Sequence, residues 1–154
     1  KGSMVYILCR AKGSGKTHSL TQWIENRKEV YGILSPVLEG IRMFLDIENR
    51  ELFPMEAEPE ENETLKVGKY TFSGRSFDRA IAILEQARHK DGWLIIDEVG
   101  PLELRGEGLS EVVLRCIKRK GNSIIVIREG LEEQVITFLQ ASVKIIHSVD
   151  QLPA

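Results

Sequence analysis

A glycine-rich run directly after an apolar stretch is the first part of this sequence whose residue types suit chemistry. Residues 5–9 read Val-Tyr-Ile-Leu-Cys, and residues 13–17 read Gly-Ser-Gly-Lys-Thr. Glycines let the backbone turn tightly and bring its N–H groups close to an anion, and the N-terminus of a following helix adds its positive dipole end. In such a loop Lys16 would bind the β- and γ-phosphates of a nucleotide, and the Thr17 hydroxyl would bind Mg²⁺. The run therefore indicates a phosphate-binding loop between a strand and a helix.

The match to the P-loop pattern G-x-x-x-x-G-K-[ST], also called Walker A, is incomplete. Gly15, Lys16 and Thr17 occupy three of its four fixed positions, whereas Arg10 stands where the pattern has its first glycine. We expect the residues that contact the nucleotide to be Lys12, Gly13, Ser14, Gly15, Lys16, Thr17 and His18. The alternative is a glycine-rich turn that binds nothing. Because only glycine adopts a positive φ at little cost, the loop either turns differently at Arg10 or needs no positive φ there.

Two adjacent acids, Asp97 and Glu98, follow the apolar run 93–96. An acid at the carboxyl end of a buried parallel strand lies at the crevice where such sheets bind ligands. There Asp97 would hold Mg²⁺ opposite Thr17, as the acid of a Walker B motif does, and Glu98 would orient and deprotonate an attacking water. The alternative is that Glu98 is an exposed acid at a strand end. Because the acids are adjacent on a strand, we expect their side chains to point to opposite faces if the strand stays regular.

Arg128 follows the apolar run 123–127, and a strand there would end beside the same site. Its guanidinium would stabilise the charge that develops on the γ-phosphate. The alternative is a structural salt bridge with Glu129 or Glu132. The residues that we expect to act in catalysis are Lys16, Glu98 and Arg128, and the expected metal ligands are Thr17 and Asp97.

Apolar strands alternate with amphipathic helices along the chain. Strands are predicted at residues 5–9, 31–34, 93–97, 123–127 and 143–146, and helices at about 17–29, 76–90, 109–120 and 131–139. An antiparallel hairpin at residues 41–55, with a turn near Asn49, interrupts this alternation, and residues 66–72 form one further strand candidate. Ser76 is the expected N-cap of its helix. The pattern predicts a three-layer α/β fold with a mainly parallel sheet, helices on both faces and an inserted antiparallel hairpin.

Length and composition limit the remaining possibilities. The 154 residues, of which 42% are hydrophobic and 29% charged, are typical of one globular domain, which we place at residues 4–154. We interpret residues 1–3, before Met4, as an expression remnant. The formal net charge of -2 and the lack of an apolar run of about 20 residues argue against a nucleic-acid or membrane partner. Cys9 and Cys116 are expected to be buried thiols in a reducing cytoplasm, and no Cys or His spacing indicates a metal site.

Three segments of the chain together resemble a known family. They are residues 10–17, the stretch Val67-Gly68-Lys69-Tyr70, and residues 97–104, which read D-E-V-G-P-L-E-L. These segments are similar to those of the small P-loop nucleoside-triphosphatases that include the cancer-related NTPase and its thermophile and bacterial relatives. The resemblance implies a P-loop NTPase fold in which one inserted strand separates the Asp97 strand from the P-loop strand. It also implies Mg²⁺-dependent hydrolysis of nucleoside triphosphates with loose base selectivity.

Three functions remain open at this point. The first is hydrolysis of nucleoside 5′-triphosphates, such as ATP or GTP, to diphosphate and phosphate, with Mg²⁺ as cofactor and Glu98 as base. The second is a small kinase in which the hairpin and the acidic segment 56–63 form an acceptor site. The third is a nucleotide-binding module without turnover. For the hydrolase we expect Arg10 to shape the mouth of the loop and not to act in catalysis, so that Arg10→Gly hydrolyses at an equal or faster rate.

Overall fold

A computed structural model describes residues 3–11 and 16–154, apart from the side chains of Lys16 and Thr17. Its strands are β1 Val5–Arg10, β2 Val30–Leu34, β3 Val37–Leu38, β4 Ile41–Asp46, β5 Glu51–Pro54, β6 Thr64–Val67, β7 Tyr70–Ser73, β8 Trp93–Asp97, β9 Ser123–Arg128 and β10 Val143–Ile146. Its helices are α1 Lys16–Glu25, α2 Gly74–Ala87, α3 Pro101–Leu104, α4 Ser110–Cys116 and α5 Glu132–Leu139, followed by a short 3-10 helix, Val149–Gln151. This order confirms the predicted alternation of strands and helices.

Five parallel strands form the centre of the main sheet, in the order β10–β1–β9–β8–β2. The strand β9 therefore separates β8 from β1, as the family resemblance implied. The strand β4 extends the sheet antiparallel to β2 and also pairs with β3 and β5, so the predicted hairpin of residues 41–55 is confirmed. Because the five central strands are parallel, their carboxyl ends lie along one edge of the sheet.

Apolar side chains cover both faces of the central strands, as expected for a parallel sheet between two helical layers. Alternate residues of β1 illustrate the arrangement. Tyr6 and Leu8 belong to the same buried cluster as Leu20 of α1. Ile7 and Cys9 point to the opposite face and join the larger cluster formed with α2, α4 and α5. The three-layer α/β fold predicted from the sequence is therefore confirmed.

Two elements differ from the prediction because of local turn and capping geometry. Residues 66–72, predicted as one strand, contribute to the antiparallel pair β6–β7, and the chain turns at Gly68, whose φ is 56°. Glycine reaches this left-handed region without the steric cost of a Cβ.

The helix α2 begins at Gly74, and its N-cap is Ser73 instead of the predicted Ser76. The Ser73 hydroxyl accepts a hydrogen bond from the Ser76 amide at 3.0 Å, which satisfies a donor of the first turn.

Smaller differences concern the ends of elements. The helix α1 ends at Glu25 and not near Glu29, which takes a left-handed φ of 58°. The short elements β3 and α3 have too few residues for a periodic pattern, and the sequence does not predict them. Cys9 and Cys116 are buried free thiols, as expected. Within the part of the chain that the structure describes, no helix combines the length and apolar character that a membrane crossing requires.

Candidate functional site

The carboxyl ends of four neighbouring strands bring five polar or charged residues to one edge of the sheet. The strands β1 and β9 end at Arg10 and Arg128, which are paired in register. The strand β8, on the other side of β9, ends at Asp97, and Glu98 follows it. Ser35 follows the last residue of β2, the next strand beyond β8. Three of the sequence-predicted residues, Asp97, Glu98 and Arg128, therefore meet at one place.

Asp97 is fully buried, and one of its carboxylate oxygens is paired with a cation. Arg10 Nη2 lies 2.5 Å from Asp97 Oδ1, and the Ser35 amide donates to Oδ2 at 3.2 Å. The Ser35 hydroxyl also donates a hydrogen bond to the Asp97 carbonyl. A buried carboxylate is costly unless it is paired, so these contacts offset part of the cost of burying the Asp97 carboxylate at the sheet edge.

Glu98 lies between two arginines. Its Oε1 is 3.7 Å from Arg10 Nη1, and its Oε2 is 3.4 Å from Arg128 Nε. The Glu98 side chain is 18% exposed, so it is not the exposed strand-end acid of the alternative interpretation. Among the described residues, the ion-pair partner of Arg128 is Glu98 and neither Glu129 nor Glu132. Both oxygens of the Glu98 carboxylate thus face a positive charge.

Asp97 and Glu98 do not point to opposite faces, because the strand does not stay regular through both residues. Arg10 contacts both carboxylates, so both are turned toward the same guanidinium. The prediction assumed a regular strand through both residues, but β8 ends at Asp97, and the alternation of a strand does not continue to Glu98. Arg10 therefore contacts both Asp97, the expected metal ligand, and Glu98, the expected general base.

Burial and neighbouring charge act in opposite directions on the acids of the site. Burial raises the pKa of Asp97, and the charge of Arg10 and the Ser35 amide oppose that shift. Burial and the charge of Asp97 raise the pKa of Glu98, and Arg10 and Arg128 lower it. The arginines therefore favour the ionised form that a metal ligand or a general base needs.

A third acid, Glu103, supports the chain after β8 and forms no ion pair with the arginines and lysines that the structure describes. Its Oε1 accepts the Gly100 amide at 2.9 Å, and its Oε2 accepts the Leu109 amide at 3.0 Å. The side chain is buried, and burial raises its pKa to about 6 against the effect of these two hydrogen bonds. Glu103 thus ties the start of α3 to the residue before α4, and it fixes the segment that borders Glu98.

Much of the predicted nucleotide-binding run falls on residues that are not described. Lys12, Gly13, Ser14 and Gly15 lie outside the described residues, and so do the side chains of Lys16 and Thr17. The backbone of Lys16 and Thr17 opens α1, and His18 follows with an exposed side chain. The strand that precedes the run and the helix that follows it have the bounds that a P-loop requires, because β1 ends at Arg10 and α1 begins at Lys16.

The residues of this edge fit a magnesium ion in the chemistry of their donors. Asp97 offers the carboxylate oxygen that Mg²⁺ prefers, and Thr17 lies in the first turn of α1. Among the described residues, no group of three or more His, Cys, Asp or Glu side chains could hold a metal alone. A divalent ion here would therefore need oxygens of a bound nucleotide as well. A direct bond to Asp97 Oδ1 would also have to replace the Arg10 contact.

A cavity of about 70 Å³ opens beside Glu98. It lies between α2, the strands β4 and β7, and the segment after β8 that Glu103 fixes. Its apolar wall is formed by Phe44, Met55, Val67, Phe72, Phe77, Pro101, Leu102 and Leu109, and its polar groups are on Ser35, Arg42, Tyr70, Glu98, Glu103 and Arg128. The cavity therefore connects the inserted hairpin with two residues that the sequence assigns to catalysis.

Sequence reasoning missed three residues of this site. Arg10 was expected only at the mouth of the loop, and Ser35 and Arg42 were not considered. The sequence positions of Arg10 and Ser35 could have indicated that they belong to the site. Each lies at the carboxyl end of a parallel strand, where the ligand crevice of such sheets lies. Arg42 lies within β4, and only the packing of the hairpin places it at the cavity.

The topology places this site at the edge where P-loop NTPases bind nucleotides, and the chain has the fold of that class. A crystal structure of THEP1 from the hyperthermophile Aquifex aeolicus superposes with a TM-score of 0.68 at 19% identity, over 98% of this chain and 92% of that chain. A solution structure of a human cancer-related nucleoside triphosphatase superposes with a TM-score of 0.66 at 20% identity, over 95% of this chain and 88% of that chain.

The chain belongs to the NTPase family, whose sequence profile matches residues 7–151. This match confirms the family to which the sequence segments are similar. No curated protein sequence matches the chain. Membership of the family supports nucleotide hydrolysis as the general activity.

Proposed function

We propose that this protein hydrolyses nucleoside 5′-triphosphates to diphosphate and phosphate, with Mg²⁺ as cofactor and with little selectivity for the base. The observation that carries the proposal is the position of Glu98. It is a largely buried carboxylate directly after β8, with a guanidinium near each of its oxygens. A general base must be held in place and must be ionised at the working pH, and flanking cations favour both conditions.

Each residue of the site has a distinct task in this proposal. Glu98 orients a water molecule toward the γ-phosphorus and accepts its proton as the new P–O bond forms and the diphosphate leaves. Arg128, whose side chain is 56% exposed, supplies positive charge near the transferred phosphoryl group. Lys16 binds the β- and γ-phosphates. Mg²⁺, when held by Asp97 and Thr17, neutralises charge on the phosphate oxygens.

Low base selectivity follows from what the site can recognise. Its charged groups suit phosphates, and the sequence contains no N-K-x-D motif of the kind that reads a guanine base. Affinities for ATP, GTP, CTP and UTP should therefore agree within about tenfold, or about 1.4 kcal/mol. A preference of about a thousandfold for one base would require a dedicated base pocket and would contradict this part of the proposal.

The direct experiment measures phosphate release from the four ribonucleotides with and without Mg²⁺. Lys16→Ala removes the lysine expected on the β- and γ-phosphates, so affinity for triphosphate and turnover should both fall markedly. A matched control is Lys120→Ala, because Lys120 is an exposed lysine before β9, at the opposite edge of the sheet. Equal ATP affinity of the wild type and Lys16→Ala by calorimetry would contradict the P-loop assignment. Tight ATP binding without any phosphate release would favour a nucleotide-binding module.

A further inference from the structure

The cavity beside Glu98 is apolar inside and charged at its edge. Phe77 lines it, with its ring centroid 5.1 Å from that of Phe44 and 5.9 Å from that of Phe72, and all three residues are buried. The cavity reaches from this aromatic wall to Glu98 and Arg128. An attacking water needs no apolar wall, whereas an organic ligand gains free energy by burying its carbon atoms there.

Arg42 places a positive charge on the wall of this cavity, and its field reaches Asp97 and Glu98, whose pKa values it lowers. Arg10 and Arg128 both lie against carboxylates of the site, but no described carboxylate lies within the ion-pair distance of 4.0 Å from the Arg42 guanidinium. The guanidinium lies over the Tyr70 ring, 4.7 Å from its centroid, which holds it at the cavity wall. A partly buried guanidinium that is in ion-pair contact with none of the described carboxylates keeps its hydrogen-bond donors available for an anionic group of a ligand.

We propose that this cavity binds a small organic anion that carries a hydroxyl group, and that this hydroxyl can take the γ-phosphoryl group in place of water. The anionic group would lie at Arg42, a short apolar group would lie among the phenylalanine rings, and the hydroxyl would lie at Glu98. The proposal rests on the function proposed above, because it uses the same base and the same triphosphate. The volume of about 70 Å³ limits the apolar group. It is about half of the roughly 150 Å³ that accommodates benzene, so a branched group of about three carbons fits.

The transfer step is balanced without any further reactant. The hydroxyl oxygen of the acceptor forms a bond to the γ-phosphorus, and the bond from the γ-phosphorus to the β,γ-bridging oxygen breaks. The nucleoside diphosphate leaves with the electron pair of that bond, and Glu98 accepts the proton of the hydroxyl. The products are a phosphate monoester of the acceptor and a nucleoside diphosphate.

The first test measures binding in the cavity with 2-hydroxyisovalerate, which combines a carboxylate, a hydroxyl and an isopropyl group. The full-length protein, with Mg²⁺ and a non-hydrolysable ATP analogue, is titrated while the methyl signals of Met55, Val67 and Leu109 are followed by NMR. We expect saturable shifts of these three signals. The methyl ester of the probe should bind to the wild-type protein at least about tenfold more weakly than the probe itself does. The unmodified probe should bind to Arg42→Met at least about tenfold more weakly than to the wild-type protein, since a charge-assisted contact is lost in each case.

A pair of variants separates the cavity from the rest of the site. Val67 lines the cavity from β6, outside the main sheet, and it is only partly buried. Val67→Phe fills the space and should abolish the shifts at Met55 and Leu109, whereas Val67→Ala enlarges the space and should retain them. Loss of binding in both variants would indicate that β6 had been disturbed, and shifts that survive in Val67→Phe would overturn the cavity as the binding site.

The second test measures transfer by ³¹P NMR with ATP, Mg²⁺ and the same probe. We expect a phosphate monoester of 2-hydroxyisovalerate beside inorganic phosphate, and no ester with isovalerate, which lacks the hydroxyl. The ratio of ester to phosphate should fall at least tenfold in Val67→Phe and stay near the wild-type value in Val67→Ala. Binding without ester formation, while phosphate is still released, would overturn the acceptor role. Absence of saturable shifts would overturn the binding site itself.

The two proposals fail in different ways. If neither phosphate nor ester is released, the proposed hydrolysis is wrong, and the binding titration, which needs no turnover, still decides whether the cavity takes an organic anion. If phosphate is released but the probe does not bind, hydrolysis stands and the cavity proposal is overturned.

Discussion

Arg10 occupies the one fixed position of the P-loop pattern at which this sequence departs from it, and its side chain contacts both acids of the site. Its guanidinium lies 2.5 Å from Asp97 and 3.7 Å from Glu98, so a single side chain links both acids. In an ordinary P-loop site the acid corresponding to Asp97 faces a divalent ion. Here the guanidinium of the same chain is placed on that acid. Arg10 and Mg²⁺ would therefore compete for the same carboxylate.

This competition predicts that removal of the Arg10 charge strengthens metal binding. Arg10→Met retains an extended side chain without the charge, and Arg10→Lys keeps a charge but not the planar fork. Binding of Mn²⁺ with a non-hydrolysable ATP analogue, measured by electron paramagnetic resonance, should be about tenfold tighter in Arg10→Met, because one charge-assisted contact to Asp97 no longer has to be replaced. Arg10→Lys should lie between Arg10→Met and the wild type. Equal Mn²⁺ affinity in all three proteins would show that Arg10 does not compete.

Because Arg128 lies against Glu98, we expect its replacement to change the pH dependence of turnover. Burial and Asp97 raise the pKa of Glu98, and Arg128 is one of the cations that lower it, so its removal raises that pKa further. A base with a higher pKa becomes protonated at a higher pH. In Arg128→Gln the acidic limb of the kcat profile should therefore move to higher pH, and the movement should be small because the arginine is exposed and its charge is screened by solvent. Arg79→Gln, which removes an exposed arginine paired with Glu51, is the control and should leave the limb in place. A limb that moves to lower pH would contradict the assignment of Glu98 as base.

At the scale of elements, the contact between β2 and β8 positions Ser35 and Asp97 relative to each other. Gly32 of β2 has a φ of 118°, and a Cβ on it would lie 2.0 Å from the Ile95 carbonyl oxygen of β8. The two strands can therefore approach as they do only because this residue is glycine.

Gly32→Ala should consequently be costly. The added methyl group clashes with backbone atoms, and the positive φ is strained, so the free energy of unfolding in urea should fall by roughly 3 kcal/mol or more. Gly40→Ala is a matched control, because Gly40 also has a positive φ, 78°, but nothing lies within 4 Å of its added Cβ. It should cost only roughly 1 kcal/mol. Equal losses in the two variants would mean that the β2–β8 approach is not the cause.

Because Glu103 is buried in the segment that joins α3 and α4, we expect the free energy of unfolding to depend on pH through its carboxyl group. Its pKa rises from 4.5 to about 6 in the folded state, so the folded protein binds more protons than the unfolded chain between these values. The stabilisation is fully present below about pH 4.5 and is lost as the pH rises through about 6, with a total of about 2 kcal/mol. The unfolding free energy of the wild type minus that of Glu103→Gln should fall by that amount as the pH rises from about 4.5 to 7.5. A difference that is constant or grows over this range would contradict the shift.

The sequence predicts an element correctly where its local hydrophobic pattern is strong, and it fails where the pattern is weak or the structure depends on residues far apart in the chain. The runs 93–96 and 123–127 are apolar on both faces, which is typical of buried parallel strands, and both are confirmed. The sequence predicts one strand where the structure has the hairpin β6–β7, because residues with β propensity lie on both sides of Gly68 and the turn contains no proline or asparagine. Ser73 and Ser76 are equally good cap residues by type, so only the observed hydrogen bond distinguishes them.

The candidate site was predictable where it depends on chain order and unpredictable where it depends on packing. Strand ends on a parallel sheet share one edge, which is why Asp97, Glu98 and Arg128 could be expected together. The ion pair of Arg10 with Asp97 depends on the order β1–β9–β8 and on the end of β8 at Asp97. The cavity combines side chains from α2 and from both hairpins, which are separated in the sequence, and no local pattern indicates it.

At the scale of the whole molecule, the sheet order explains why the end of β1, the acid pair and the largely apolar cavity lie at one edge of the sheet. The order β1–β9–β8–β2–β4 places the P-loop strand at one side of Asp97 and the inserted hairpin at the other. Glu98 lies between them, since it contacts Arg10 and Arg128 and also lines the cavity. Glu98 is therefore the residue that the proposed hydrolysis and the proposed phosphoryl transfer both require.

The most direct measurement of that dependence compares hydrolysis and binding in Glu98→Gln and Asp97→Asn. Glu98→Gln keeps the size and hydrogen-bonding capacity of the side chain but removes the base. It should bind Mg²⁺–triphosphate almost as the wild type does, while phosphate release falls by about 10²–10⁴-fold. Asp97→Asn should instead weaken the Mg²⁺ requirement and nucleotide binding together, because it removes charge beside the metal. Phosphate release by Glu98→Gln at the wild-type rate, or the same modest loss in both variants, would contradict the account.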